Sequence, residues 1–186
     1  MSAIALVTPS LDYLDSYAEA LQQGWSPNTL VPAAAAVELS KIEQDPVAFV
    51  ASLTDRAGLG GPITLPNGAV VPRLPGYRMW LWDGEFCGSF ALRWQPGTSA
   101  LPSYAYGHVG YTIVPWKRRR GYAKAGLRLL LAEARREGLD YVDLTTDLDN
   151  EASHKVILAN GGTSLGAFRR PVEYGGETNL RFRIAL

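Results

Sequence analysis

GYTIVPWKRRRGYAKAGLRLLLAEARREG, residues 110–138, joins an apolar strand to an amphipathic helix through a basic turn that contains Gly121. Between Pro115 and Ala132 stand six basic residues, Lys117, Arg118, Arg119, Arg120, Lys124 and Arg128, and no acidic one. The chain has a formal net charge of zero, so this concentration is local. A helix N-terminus leaves backbone N–H groups unpaired and carries partial positive charge, so arginines beside it reinforce a field that attracts phosphate. Glycine at 121 removes the Cβ where a ligand would come close. The stretch reads as an anion-binding elbow.

On the C-terminal side of the elbow, Ala123, Leu127, Leu130, Leu131 and Ala134 share one helical face, with Lys124, Arg128, Arg135 and Glu137 elsewhere, the pattern of a helix that packs on a sheet. Gly138 ends it. A strand follows over Tyr141–Thr146, then a short helix capped by Asp149 or Asn150 and closed by Asn160-Gly161. The stretch from Thr178 to Ala185 alternates, Leu180, Phe182 and Ile184 against Arg181 and Arg183, as a half-buried strand does.

On the N-terminal side, a strand from about Tyr104 to Val114 leads into the elbow. Before it, YRMWLWDGEFCGSFALRW, residues 77–94, places strand-forming residues on both sides of Asp83-Gly84, which predicts a hairpin with a two-residue turn. The glycine- and proline-rich segment 58–76, with Asn67-Gly68, predicts a loop or short hairpin. Further back lie a strand at Ile4–Val7, a helix capped by Ser10 and stopped by Gly24, a helix from Pro32 to about Gln44, and a third that opens at Asp45-Pro46 and ends near Gly58.

At 186 residues the chain fits one domain, 1–186, with 1–60 as its helical N-terminal part. With 47% apolar and 19% charged residues, the composition is that of a globular protein. Cys87 has no second cysteine to pair with, and no Cys/His cluster has metal-ligand spacing, so no metal is expected. The first residues lack a basic region, Pro9 cuts their apolar run, and no run reaches the roughly 20 residues of a membrane helix, so a cytoplasmic location is the default.

The spacing Arg118-x-x-Gly121-x-Ala123 resembles the acyl-CoA-binding signature of the GNAT superfamily of N-acetyltransferases: Gln or Arg, two residues, Gly, one residue, Gly or Ala. The strand before it, the helix after it and a second segment, Asn150-x-x-Ser153 with Lys155 and then Asn160-Gly161-Gly162, fall in that family's order. The resemblance is specific over 107–162, looser over the hairpin, and topological before Gly76. It implies an α+β fold of three-layer α/β type, with a mixed, mostly antiparallel twisted sheet flanked by helices. It also implies acetyl-CoA as co-substrate. Backbone N–H groups near Arg119 to Ala123 would hold its pyrophosphate, with Arg118, Arg120, Gly121, Tyr122 and Lys124 in the same binding set, and Ile113 and Val114 would pair with the pantetheine arm. Asn150 would bond that arm, and Ser153 and Lys155 would reach the phosphates.

The implied reaction is transfer of an acetyl group to an amine, which requires holding two substrates, polarising the thioester carbonyl and removing a proton. His108 is the candidate base, since it lies on the strand leading to the acetyl site and its ordinary pKa of about 6.5 suits proton transfer near neutrality. A histidine bonded within the sheet is the competing expectation. Glu173 and Tyr174 are further candidates in the loop RRPVEYGGET. Many family members place a tyrosine seven residues after the position of Asn150, to protonate the leaving thiolate; here that residue is Ile157. A non-catalytic acyl-CoA-binding module is therefore the second expectation. Nucleic acid is disfavoured as partner by the balanced charge and by the lack of a Walker-type run. Family members are often dimers, and nothing in the sequence opposes a homodimer. Trp25, Tyr77, Trp94, Tyr104 and Glu173 are candidates to shape the acceptor cleft, which the sequence does not assign to a peptide N-terminus, a lysine, a polyamine or an aminoglycoside.

Overall fold

A computed structural model describes residues 3–28, 31 and 33–186. Strand β1 (Ala5–Val7) is followed by helices α1 (Leu11–Gln22), α2 (Ala34–Gln44) and α3 (Pro46–Ser52). The expected start of the second helix at Pro32 lies outside the described residues. The third helix opens as expected, with the Asp45 carboxylate accepting from the Ala48 N–H at 2.9 Å. It closes earlier than expected, because strand β2 (Thr54–Asp55) leaves it to pair with the main sheet. The segment 58–76 contains a small hairpin, β3 (Ile63–Thr64) with β4 (Val70–Val71).

The main hairpin is β5 (Gly76–Trp82) with β6 (Phe86–Arg93), antiparallel along its length. Its turn is longer than the two residues expected, since Trp82 pairs with Phe86 across Asp83, Gly84 and Glu85. Strand β7 (Val109–Ile113) is shorter than the predicted 104–114, and the elbow leads to α4 (Tyr122–Arg136). Then come β8 (Tyr141–Asp147), α5 (Glu151–Leu158), β9 (Thr163–Arg169) and β10 (Thr178–Ala185). Strand β9 gave no periodic signal because six of its seven residues are exposed, so neither face is patterned.

The strands form one sheet of order β1-β5-β6-β7, with β2 on β5, and a second of order β8-β10-β9. Helix α4 is the connection between the facing edges β7 and β8, the kind of crossover that sets two strands parallel. Alternation along β5 and β6, with a bulge at Cys87 that turns Phe86 to the opposite face from Phe90, feeds two cores. On one face Trp80 and Phe86 meet Leu14, Tyr17, Trp25 and Phe49 from the first helical layer. On the other, Leu81 and Phe90 meet Leu127 and Leu130 of α4, with Leu144, Ile157 and Phe182. Each of these fully buried leucines contributes about 1.5–3 kcal/mol. Helix α4 lies so close to the sheet that a Cβ at Gly126 would collide with the Phe90 ring. This is the three-layer, largely antiparallel α+β arrangement. Among the described residues no helix is long and apolar enough to cross a membrane.

Candidate active site

Strands β7 and β8 meet at one end and separate from there. At the joined end His108 donates its backbone N–H to the Asp143 carbonyl at 2.7 Å, while its Nδ1 accepts the Asp143 N–H at 2.9 Å. Gly107 fits beside them because a side chain there would press on the Asp143 carbonyl. Beyond this hinge no ladder joins the two strands, and the gap between them is a cleft of about 200 Å³. Val109, Gly110 and Tyr111 line one wall, Leu144 to Asp147 the other, and Asn150, Ser153 and Ile157 of α5 also face it, with Arg170.

In an antiparallel ladder alternate residues bond the partner strand and the ones between point away. Val114 donates to the Cys87 carbonyl at 3.0 Å, so its amide is spent on β6 and is not free for a ligand. Ile113 is out of phase and directs its backbone away from β6, where its carbonyl accepts Arg118 Nε at 3.1 Å. By the same alternation the Tyr111 amide faces the cleft.

At the elbow, Arg119 has φ 58 and Gly121 φ 84, two left-handed residues that turn successive N–H groups to one side. Gly121 is the N-cap of α4, no side chain caps it, and its Cβ direction opens on free space. The conformation itself calls for glycine there. Arg118, Arg119, Arg120 and Lys124 are exposed around it. Lys117 is not part of this patch. It is buried, and its Nζ bonds Asp83 at 2.6 Å, Glu85 at 2.8 Å and Cys87 Sγ at 3.3 Å, which fastens the elbow to the hairpin turn. Tyr122 turns its hydroxyl to the same Asp83. Burial opposes ionisation of Asp83, but the bonds from Lys117, Tyr122 and Cys87 outweigh it and hold the carboxyl at about 2. Burial, with the Asp83 carboxylate, pushes the Cys87 thiol up to about 12, so it stays protonated and inert.

The other expected site residues divide. Asn150 caps α5, its Oδ1 accepting the Ser153 N–H at 3.1 Å, and both residues face the cleft. Lys155 instead bonds Glu151 at 3.2 Å in solvent. His108 is 2% exposed, and burial, against the pull of Asp143, pushes its pKa down. Its one lone pair is engaged by the Asp143 N–H, so no basic nitrogen faces the cleft. The geometry is that of the competing expectation, a histidine locked in the sheet. Glu173 and Tyr174 lie on a short turn, Val172–Tyr174, Glu173 exposed and the Tyr174 hydroxyl buried without a partner. Of the aromatic residues expected around the acceptor, Trp25, Tyr77 and Trp94 are core residues; Trp25 bonds Thr112 at 3.1 Å, and Tyr77 meets Trp94 edge-on.

Three residues of the cleft were not singled out from sequence. The Tyr111 hydroxyl bonds Ser153 Oγ at 2.8 Å, one helical turn before buried Ile157. Burial, only partly offset by Ser153, raises the Tyr111 pKa, so the phenol is protonated at neutrality. Asp147 is held by Asn179, whose Nδ2 donates to it at 2.7 Å from a fully buried position. The third is Arg170. Only the meeting of two strands and a helix groups them, and no spacing in the sequence signals that.

The family model described as "Acetyltransferase (GNAT) family" matches residues 64–161, just over half of the chain. No protein of curated function matches the sequence. Among solved structures, Mycobacterium smegmatis RimJ in complex with CoA-disulfide superposes with TM-score 0.67 at 17% identity, over 99% of this chain and 82% of that one. RimL, a ribosomal alpha-N-protein acetyltransferase in complex with coenzyme A, gives 0.64 at 14% identity, over 100% and 96%. The microcin self-immunity acetyltransferase MccE, in complex with acetyl-CoA and AMP, gives 0.64 at 15%, over 98% and 92%. At such identities the likeness is one of fold.

Proposed function

The chain belongs to the GNAT acetyltransferase family, and from that premise we propose that it moves an acetyl group from acetyl-CoA to an amine. The observation that carries the reading is the join of an uncapped, basic helix N-terminus to a strand that parts from its neighbour. The first suits a pyrophosphate, with Arg118, Arg119, Arg120 and Lys124 around it; the second opens a slot for a thioester-bearing arm. The backbone of Tyr111 and Ile113 faces that slot, and Asn150 stands across from it. RimL and MccE, which share the fold, hold coenzyme A and acetyl-CoA.

In this reading the neutral amine attacks the thioester carbonyl carbon. The C–N bond forms, the C–S bond breaks, and coenzyme A leaves as a thiolate. A cleft-facing N–H of Tyr111 or Ile113 steadies the oxyanion between these events. The Tyr111 phenol gives the thiolate its proton and is reprotonated through Ser153. The proton lost by the amine passes to Asp147 or to water. The paired hydroxyls of Tyr111 and Ser153 in the cleft favour catalysis over a binding-only module, although Ile157 supplies no hydroxyl.

Thermal unfolding with and without acetyl-CoA tests the reading, with ATP as control. A ligand at about 100 times its dissociation constant stabilises by about 2.7 kcal/mol, roughly 5–10 °C for a chain of this size. Acetyl-CoA should give that shift, ATP little, and Gly121→Glu should remove it. An equal shift in wild type and Gly121→Glu would take the elbow out of the proposal.

A further inference from the structure

The cleft holds an arginine that nothing in the fold or in the proposed donor site employs. Arg170 directly follows β9 and lines the cleft, and its Nε is buried without a hydrogen-bond partner. The Nε of Arg181 is likewise buried and unpartnered, and its register partner on β8 is Thr145 of the cleft wall. The hydroxyl of Tyr174 is a third buried donor left unpaired. These groups belong to one cluster. The Arg181 guanidinium lies 4.6 Å from the centre of the Phe168 ring, Phe168 stacks on Tyr106, and Tyr106 meets Tyr174 edge-on at 5.4 Å. Arg170 and Glu173 are close enough to act on Tyr106 electrostatically.

Buried donors are almost always paired in folded proteins, so three unpaired in one place call for a partner from outside. Among the described residues neither arginine forms an ion pair; Arg183, the neighbour on β10, is fully engaged by Asp143 and shows what a satisfied arginine looks like here. Guanidinium groups without an ion-paired carboxylate, one of them over an aromatic ring, match a planar or tetrahedral oxyanion. Among the described residues that line the cleft, Asp147, aligned by Asn179, is the single carboxylate. A cleft lined by a fixed anion and an unpaired cation is the complement of a ligand carrying a cation and an anion.

We propose that the acceptor is an amine that also bears an anionic oxygen group, a carboxylate or a phosphate: its ammonium is received at Asp147 and its anion at Arg170, with Arg181 and the Tyr174 hydroxyl beside it. This rests on the acetyl-transfer reading and specifies its second substrate. Glu173, exposed and close enough to act on Tyr106, repels a second negative charge and so favours acceptors with one anion near the amine.

The test is a set of matched acceptors assayed with acetyl-CoA: leucine against leucinamide, phosphoethanolamine against ethanolamine, and the tripeptide amide Ser-Glu-Ala against Ser-Gln-Ala. The three pairs separate a free α-carboxylate, a phosphate and an acidic peptide side chain as source of the anion. In at least one pair the anionic member should have a kcat/KM about 10-fold or more above the neutral one. Arg170→Gln should abolish that preference through KM while leaving the acetyl-CoA thermal shift intact, and Arg181→Gln should weaken it. Equal use of both members of every pair overturns the proposal and leaves acetyl transfer standing. So does an Arg170→Gln variant that keeps the preference, or that loses acetyl-CoA binding instead. A wild type that is stabilised by acetyl-CoA yet transfers to none of the six acceptors overturns it as well. A wild type that is not stabilised by acetyl-CoA overturns the acetyl-transfer reading itself.

Discussion

Tyr111 serves the cleft twice: its backbone faces the gap left by β8, and its phenol reaches Ser153 on α5. Its ring also stacks on Phe90 at 5.4 Å, so the side chain is held by packing as well as by the hydroxyl. Removing only the hydroxyl therefore separates chemistry from structure. Tyr111→Phe should lower kcat about 100-fold, within the range usual for a general acid, with little change in KM for acetyl-CoA. The loss should shrink when coenzyme A is replaced by a more acidic thiol, which leaves without help. Ser153→Ala, which interrupts only the return of the proton, should cost less. An unchanged kcat in Tyr111→Phe, or a loss equal for both thiols, would assign the proton to water.

At the scale of elements, the join between β7 and β8 depends on a neutral imidazole. The folded protein keeps His108 uncharged because burial outweighs the attraction of Asp143, whereas the unfolded chain takes up a proton near the ordinary value of about 6.5. Below that pH the unfolded state gains a proton that the native state refuses. The contribution of His108 is thus complete above about pH 6.5 and declines as pH falls toward its lower folded value. Denaturant unfolding between pH 7.5 and 5 should show stability falling with acid, and His108→Gln should flatten that slope. A slope that persists in the variant would remove the histidine from the account. The sequence left His108 open between a base at the site and a histidine bonded within the sheet, because the strand's pattern does not say which way its ring turns. In the fold it turns to the Asp143 backbone. The elements with strong local signals, the hairpin around Asp83-Gly84, the amphipathic α4 and the Asn150 cap, stand where their residues predict. The end of β7, the whole of β9 and the grouping of Tyr111, Asp147 and Arg170 are set by contacts between distant segments, which no window of sequence contains.

At the scale of the molecule, two half-buried ion-pair networks brace the sheet, and only one of them supports the elbow. In the first, Glu38 of α2 bonds Arg78 of β5 at 2.8 Å, and both bond the Tyr17 hydroxyl of α1. On the elbow side Lys117 joins Asp83 and Glu85. Removing one partner of such a half-screened pair leaves the other charge partly uncompensated and costs about 1–2 kcal/mol. Glu38→Gln and Lys117→Met should therefore lower the unfolding midpoint similarly, by roughly 2–8 °C. Their effects on acetyl-CoA should differ. Glu38 is remote from the elbow, so its loss leaves affinity unchanged when measured calorimetrically well below both midpoints. Loss of Lys117 frees the turn that presents Arg119 and Gly121, and the ordering of those residues must then be supplied at binding, which should weaken acetyl-CoA about 10-fold. Equal affinities in the two variants would mean that α4 alone fixes the elbow, through the contact of Gly126 with Phe90, and that the lysine serves only the stability of the hairpin.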